Sequence, residues 1–244
     1  AYGWLDGSQG MLVYALVRQG RSPEAIEIAQ DNIQLWQSGQ LSDGIGARWS
    51  YRLATSLNAT QQYDAALTAA RRADEMLEKS GASSASHTRW LARQEVLRAL
   101  IGLKRWQDAD VSYQQFLMGM PPDLLARTRA SDWRLIALLA AKNGRLDIAL
   151  DQVEHIYKYR HRLYGDQHPQ TQEAAGIRAV VHLLRGDTRQ AMSDYETLFT
   201  ATLDTPGGWL DLDIRGIRGY VFGIAFEEFM NHVAERALKG EKID

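Results

Sequence analysis

The chain has 244 residues, 45% of them hydrophobic and 24% charged, with a formal net charge of −2 and no cysteine. That charge gives no electrostatic footprint for nucleic acid, whose binding rests on neutralising phosphates. The lack of cysteine excludes disulfides, thiolate catalysis and cysteine-ligated metals, though it does not fix the compartment. No apolar run approaches the roughly 18 residues of a membrane span. Five prolines and few β-branched runs argue against a β protein.

In chain order, Leu5, Met11, Leu12, Ala15 and Leu16 recur at helical spacing, and Gly20 ends that helix. Ser22-Pro23-Glu24 reads as a helix start, with a hydroxyl cap, proline in the first turn and an acid favoured by the helix dipole. Ala25, Ile28, Ala29 and Ile33 give the next face, and a polar linker covers 37–46. A second pair follows, with Leu53, Ala54 and Leu57 before a turn at Gln61-Gln62, then Tyr63, Ala66, Ala70 and Ala73. A third carries Trp90, Val96, Leu97 and Leu100, then Trp106, Ala109, Tyr113 and Phe116, and Pro121-Pro122 stops it. A fourth has Trp133, Ile136, Ala137 and Ala140, a turn at Asn143-Gly144, then Leu146, Ala149, Val153 and Ile156. The fifth begins where His168-Pro169 closes a loop. It carries Ala174, Ile177, Val181 and Leu184, breaks at Gly186-Asp187, and resumes with Ala191, Tyr195 and Leu198.

These pairs repeat. Aligned on the residue after each turn (Ser22, Tyr63, Trp106, Leu146, Thr188), they recur at intervals of 41, 43, 40 and 42 residues. Three positions further on, every pair has an alanine: Ala25, Ala66, Ala109, Ala149 and Ala191. A small residue there lets helices joined by a short turn pack closely. The pattern resembles the tetratricopeptide repeat. The period near 42 residues, with the loop Tyr164-Gly165-Asp166-Gln167-His168-Pro169-Gln170-Thr171, is similar to its kinesin-light-chain subtype. Departures are Val13 and Leu97 at a position the family keeps small, and Gln61 and Lys104 in place of the turn glycine. The resemblance implies an all-α fold, a right-handed α-α superhelix of about five hairpins. The expected pairs lie near 5–38, 45–80, 86–120, 124–163 and 169–201, within an array over 1–204.

The remainder, 205–244, differs. Thr205-Pro206-Gly207-Gly208 is a break, and Asp211 or Asp213 is placed to cap one long helix from about 212 to 239, either a cap on the array or the start of a sixth pair. Gly216, Gly219 and Gly223 would leave a thin strip on it, more simply read as close packing than as a docking groove. Lys239–Asp244 reads as a loop cut before further sequence, and a start without Met is expected of a trimmed or processed chain. Bacterial arrays similar to this one are often fused to a caspase-like CHAT domain. An alternative role implied by that likeness is a sensor array controlling an effector elsewhere in the parent chain.

No motif for chemistry is present. The six histidines form no i, i+4 pair and no HExxH; His155, His161 and His168 span a helix end and a loop at intervals poorly suited to a metal, and His182 reads as a satisfied core residue. GxxxxGK[ST], GxGxxG placed after a strand, and GxSxG are absent. No cofactor, no metal site and no catalytic role are expected.

In the family resembled, first helices line a concave face that binds a protein or peptide segment. By helical spacing this face would include Tyr14 and Arg18; Arg48, Tyr51, Thr55 and Asn58; Gln94 and Arg98; Arg134 and Leu138. Arg48, Arg98 and Arg134 would form a basic stripe suited to a partner with acidic groups or a free C-terminus, since arginine binds carboxylates bidentately. Alternatively these arginines pair with Glu95, Asp132 or other acids between repeats.

Overall fold

A computed structural model describes residues 2–84, 86–118, 136–203 and 217–240, and every regular element among them is an α-helix. The chain divides into two compact units, Ala1–Thr128 and Arg129–Asp244. The first contains α1 (Tyr2–Arg18), α2 (Ser22–Gln37), α3 (Asp43–Ala59), α4 (Tyr63–Lys79), α5 (His87–Gly102) and α6 (Trp106–Met118). They form three antiparallel hairpins. Each later first helix packs on the second helix of the hairpin before it and also on the preceding first helix, so α1, α3 and α5 stand side by side. The second unit contains α7 (residues 136–142), α8 (Leu146–Tyr164), α9 (Pro169–Arg185), α10 (Thr188–Leu203) and α11 (Ile217–Leu238). Within it α9 packs on α8, α10 and α11.

One turn geometry builds all five hairpins. Gly20, Gln61, Lys104, Gly144 and Gly186 sit in the left-handed region, at φ of 73°, 61°, 58°, 77° and 84°. The next residue's N–H reaches back to the carbonyl five positions earlier: Arg21 to Leu16, Gln62 to Leu57, Arg105 to Leu100, Arg145 to Ala140 and Asp187 to His182. This closure satisfies carbonyls that the helix end would otherwise leave unpaired. The chain then enters the second helix at once. Ala25, Ala66, Ala109, Ala149 and Ala191 are all fully buried at the crossing, as the repeat alignment requires.

The local start signals act differently from their sequence reading. Ser22 is the first residue of α2 rather than its cap; the N-cap position is Arg21, which makes no side-chain capping bond. Instead Arg21 donates to Glu24 from Nε and Nη2 at 2.7 and 2.6 Å. His168, by contrast, does cap α9: it is extended, its Nδ1 accepts from the Gln170 N–H, and Pro169 occupies the first turn. Tyr164 stacks on His168 across that loop, with ring centroids 4.3 Å apart.

Helix faces differ from expectation at the first and fifth hairpins. Among the described residues of α1 the buried hydrophobics are Val13, Leu16 and Val17, whereas Met11 is 70% and Leu12 48% exposed. α1 packs on α2 and α3, and Val13, Leu16 and Val17 share a core with Ala25, Ala29, Ile33 and Trp49. On α9, Leu184 is similarly left exposed.

Close approaches fall at particular glycines. A Cβ on Gly46 would lie 2.5 Å from Cγ of Trp36, and one on Gly102 would enter the Tyr63 ring. The α9–α11 contact uses Gly176, where a Cβ would lie 3.3 Å from the Ala225 methyl. The expected glycine strip on the last helix does not act at Gly223, which faces open space. The cap residues Asp211 and Asp213, the Thr205–Gly208 break and the double proline at 121–122 lie outside the described residues.

Candidate functional site

The first-helix face of the N-terminal unit is the surface on which the sequence places a partner, and its side chains are largely engaged with one another. Asp6 of α1 is buried and accepts two charged hydrogen bonds from α3: Arg48 Nε at 2.8 Å and Arg52 Nη1 at 2.6 Å. Arg52 also stands over the Trp49 ring, 4.5 Å from its centroid. A Cβ on Gly10 would enter the Arg52 guanidinium, so the bare backbone of α1 leaves room for it. One hairpin on, buried Asn58 of α3 donates to the Glu95 carboxylate at 2.8 Å and to its backbone carbonyl at 3.1 Å. Arg98 donates to the other Glu95 oxygen at 2.5 Å. Burying such charges is tolerable because each is paired and hydrogen-bonded.

The expected partner-binding residues therefore separate. Tyr14 and Arg18 are exposed and bond to each other, Nη1 to the phenol oxygen at 2.9 Å. Tyr51, Thr55 and Arg48 are partly exposed, with 37% of the Arg48 side chain accessible. Arg98 keeps 18%. Asn58 and Gln94 are buried, and Leu138, in the other unit, has no exposed surface at all. Arg134 lies outside the described residues. Arg48 and Arg98 thus stand on neighbouring helices, α3 and α5, each with a carboxylate already bound.

Two hollows flank these helices. One, about 190 Å³, opens between α1, α2 and α3 and is lined by Asp6, Gln9, Ile28, Asp31, Asn32, Leu35, Leu41, Ile45 and Trp49. The other, about 430 Å³, lies between α4, α5 and α6 over Val96 and Leu100. Its rim carries Arg71, Arg93 and Arg105 against Asp74, Glu75 and Asp108.

In the C-terminal unit a charged network joins α8, α9 and α10. Arg178 grips Asp194 with two bonds of 2.9 and 2.5 Å, reaches Glu154 at 3.4 Å, and lies over the Tyr157 ring at 3.6 Å. Burial pushes the Glu154 carboxyl up, but Lys158 and Arg178 outweigh it and hold it below the usual value. His182 is a core residue as expected; its Nδ1 makes no hydrogen bond among the described residues, and Asp187 and Asp194 stand 3.7 and 4.0 Å from its nitrogens. Beside it Tyr195 stacks on Phe199 and meets Phe229 of α11, and burial raises its phenol pKa. Among the described residues no three His, Asp or Glu side chains converge as metal ligands, and no helix is long and apolar enough to cross a membrane.

Sequence reasoning missed Asp6, Asp31, Asn32 and Trp49. Arg52 was open to discovery, being one turn beyond Arg48, but its acid lies 46 residues away and no local pattern pairs them.

No protein-family model matches the chain, and no curated protein matches it either. Among solved structures it is similar to two crystal structures of a Podosopora anserina putative kinesin light chain of nearly identical TPR-like repeats. For one, the identity is 17% over 84% of this chain and 98% of that one, with a TM-score of 0.62. For the other it is 18% over 81% and 95%, with a TM-score of 0.59. At such identity the likeness is one of fold: an all-α array of tetratricopeptide-type hairpins.

Proposed function

We propose that this chain is a protein-interaction scaffold that holds a peptide or protein segment along its first-helix face. The observation that carries the reading is the side-by-side placement of α1, α3 and α5, with Tyr14, Arg18, Arg48, Tyr51 and Thr55 accessible along them. Consecutive hairpins of one geometry build an extended surface from equivalent positions, which is how repeat folds recognise extended partners. A segment bearing acidic groups, or a free C-terminal carboxylate, fits Arg18 and the exposed part of Arg48. On Arg48 it shares the guanidinium with Asp6, using the donors that Nε leaves free. Arg98 is held by Glu95 and contributes less.

A photo-crosslinking amino acid at Tyr14 or Tyr51, compared with one at exposed Val111 of α6, tests this in lysate of the source cells. Discrete adducts from Tyr14 and Tyr51 and none from Val111 are expected. Adducts from Val111 alone, or from no position, overturn the reading.

A further inference from the structure

The hollow between α1, α2 and α3 has a composition that selects its occupant. Its walls are Ile28, Leu35, Leu41, Ile45 and Trp49, and its polar lining is Asp6, Gln9, Asp31 and Asn32, with no cation among them. Asp6 accepts from both Arg48 and Arg52, which more than offset its charge, so Asp31 is the carboxylate left for an occupant; neither arginine is among the lining residues. Asp31 is exposed on α2 and makes no ion pair among the described residues. Asn32 is 8% exposed and commits its amide Nδ2 to the carbonyl of Ile28 at 2.8 Å, which leaves Oδ1 as an acceptor in the lining. The polar side of the hollow therefore offers a carboxylate and amide oxygens, above an aliphatic slot. The larger hollow over Val96 and Leu100 shows the contrast: three arginines and three acids share its rim, and no charge is preferred there.

We infer that the α1–α2–α3 hollow is a binding pocket for a lysine side chain of the partner segment. The four-carbon stem lies along Ile28, Leu35 and Ile45, and the ammonium meets Asp31, Asn32 Oδ1 and Gln9. A lysine head has three donors and no acceptor, and its stem is apolar, so it satisfies both halves of the hollow at once. A neutral apolar side chain would leave the acceptors unpaired, and an acidic one would face Asp31. This rests on the reading of the chain as a scaffold for a protein segment and adds to it the chemistry of one anchor. Asp6 lines the pocket and also holds Arg48, so a segment with a carboxylate near its lysine would span both.

The test uses the whole chain, labelled with 15N, and lysine blocked as its Nα-acetyl N-methylamide, with the equivalent norleucine compound as the neutral isostere. NMR titration is expected to move the Asn32 side-chain amide and Trp49 indole signals, with lysine binding about fivefold or more tighter than norleucine. Asp31→Asn, an exposed change on α2, removes that preference, while Arg71→Glu at the other hollow leaves it intact. Equal binding of lysine and norleucine, a preference unchanged in Asp31→Asn, or no movement of these signals overturns the pocket. None of those results bears on crosslinking from Tyr14 and Tyr51, so the scaffold reading stands or falls separately.

Discussion

Gln61 and Lys104 occupy equivalent turn positions in successive hairpins and share the left-handed conformation, at φ of 61° and 58°, that glycine takes in the other three. For a side chain with a Cβ that conformation costs about 1–2 kcal/mol. Glycine removes the strain but loses more freedom on folding, about 0.5–1 kcal/mol. Gln61→Gly and Lys104→Gly are therefore expected to stabilise by about 0.5 kcal/mol each. Gly186→Ala should move the opposite way. Urea midpoints of the three variants check both signs.

Gly46 and Gly44 lie two residues apart on α3 and should respond oppositely to alanine. At Gly46 the new methyl would fall 2.5 Å from the Trp36 ring, whose indole N–H is tied to Asp43 at 2.9 Å. Overpacking of that kind costs about 1–3 kcal/mol. At Gly44 nothing lies within 4 Å, so Gly44→Ala should gain up to about 1 kcal/mol from helix propensity. Equal effects in chemical denaturation would count against the packing of Trp36 on α3.

Arg178 is the shared partner of Asp194 and Glu154. Removing it leaves Asp194, which is buried, without its cation. Arg178→Met is expected to destabilise by about 3 kcal/mol. The double variant Arg178→Met, Asp194→Leu should recover part of that loss, because both charges are then gone. A loss no smaller in the double variant would argue against the pairing.

Glu154 sets a pH dependence. Its carboxyl is held below its ordinary value of 4.5 in the folded chain, because Lys158 and Arg178 outweigh the upward push of burial. A carboxyl with a depressed folded pKa stabilises the fold above its unfolded pKa, and that contribution fades as pH falls through the folded value. Wild type should lose stability more steeply than Glu154→Gln on acidification below about pH 4.5. Thermal melts from about pH 6 down to about pH 3 measure the difference. Parallel curves would sink this assignment.

The hairpins were legible because their signals are local. A left-handed turn residue, an alanine three positions beyond the next helix start and His168-Pro169 at a helix entry all act within a few residues. Repetition then distinguished them from chance. The face of α1 was misread for the complementary reason. Met11, Leu12 and Ala15 share helical spacing with Leu16, which is buried as expected, but so do Val13 and Val17. Which set is buried depends on where α2 and α3 stand.

By itself, then, the sequence determined the helical-repeat architecture, the turn positions and the five buried alanines, since these follow from backbone preference and side-chain size. The pairing of Arg98 with Glu95 was also within its reach, because the two lie one helical turn apart. Tertiary structure alone decided which of the more distant charges are engaged and which remain. For Arg48 the sequence left partner binding and pairing between repeats both open, and it could not name Asp6, which α1 brings to it. Asp31, inconspicuous in its own stretch, lines a hollow that residues of α1 and α3 complete. Coulomb and hydrogen-bond energies depend on distance in space, and the pair of Arg52 with Asp6 joins residues 46 positions apart along the chain.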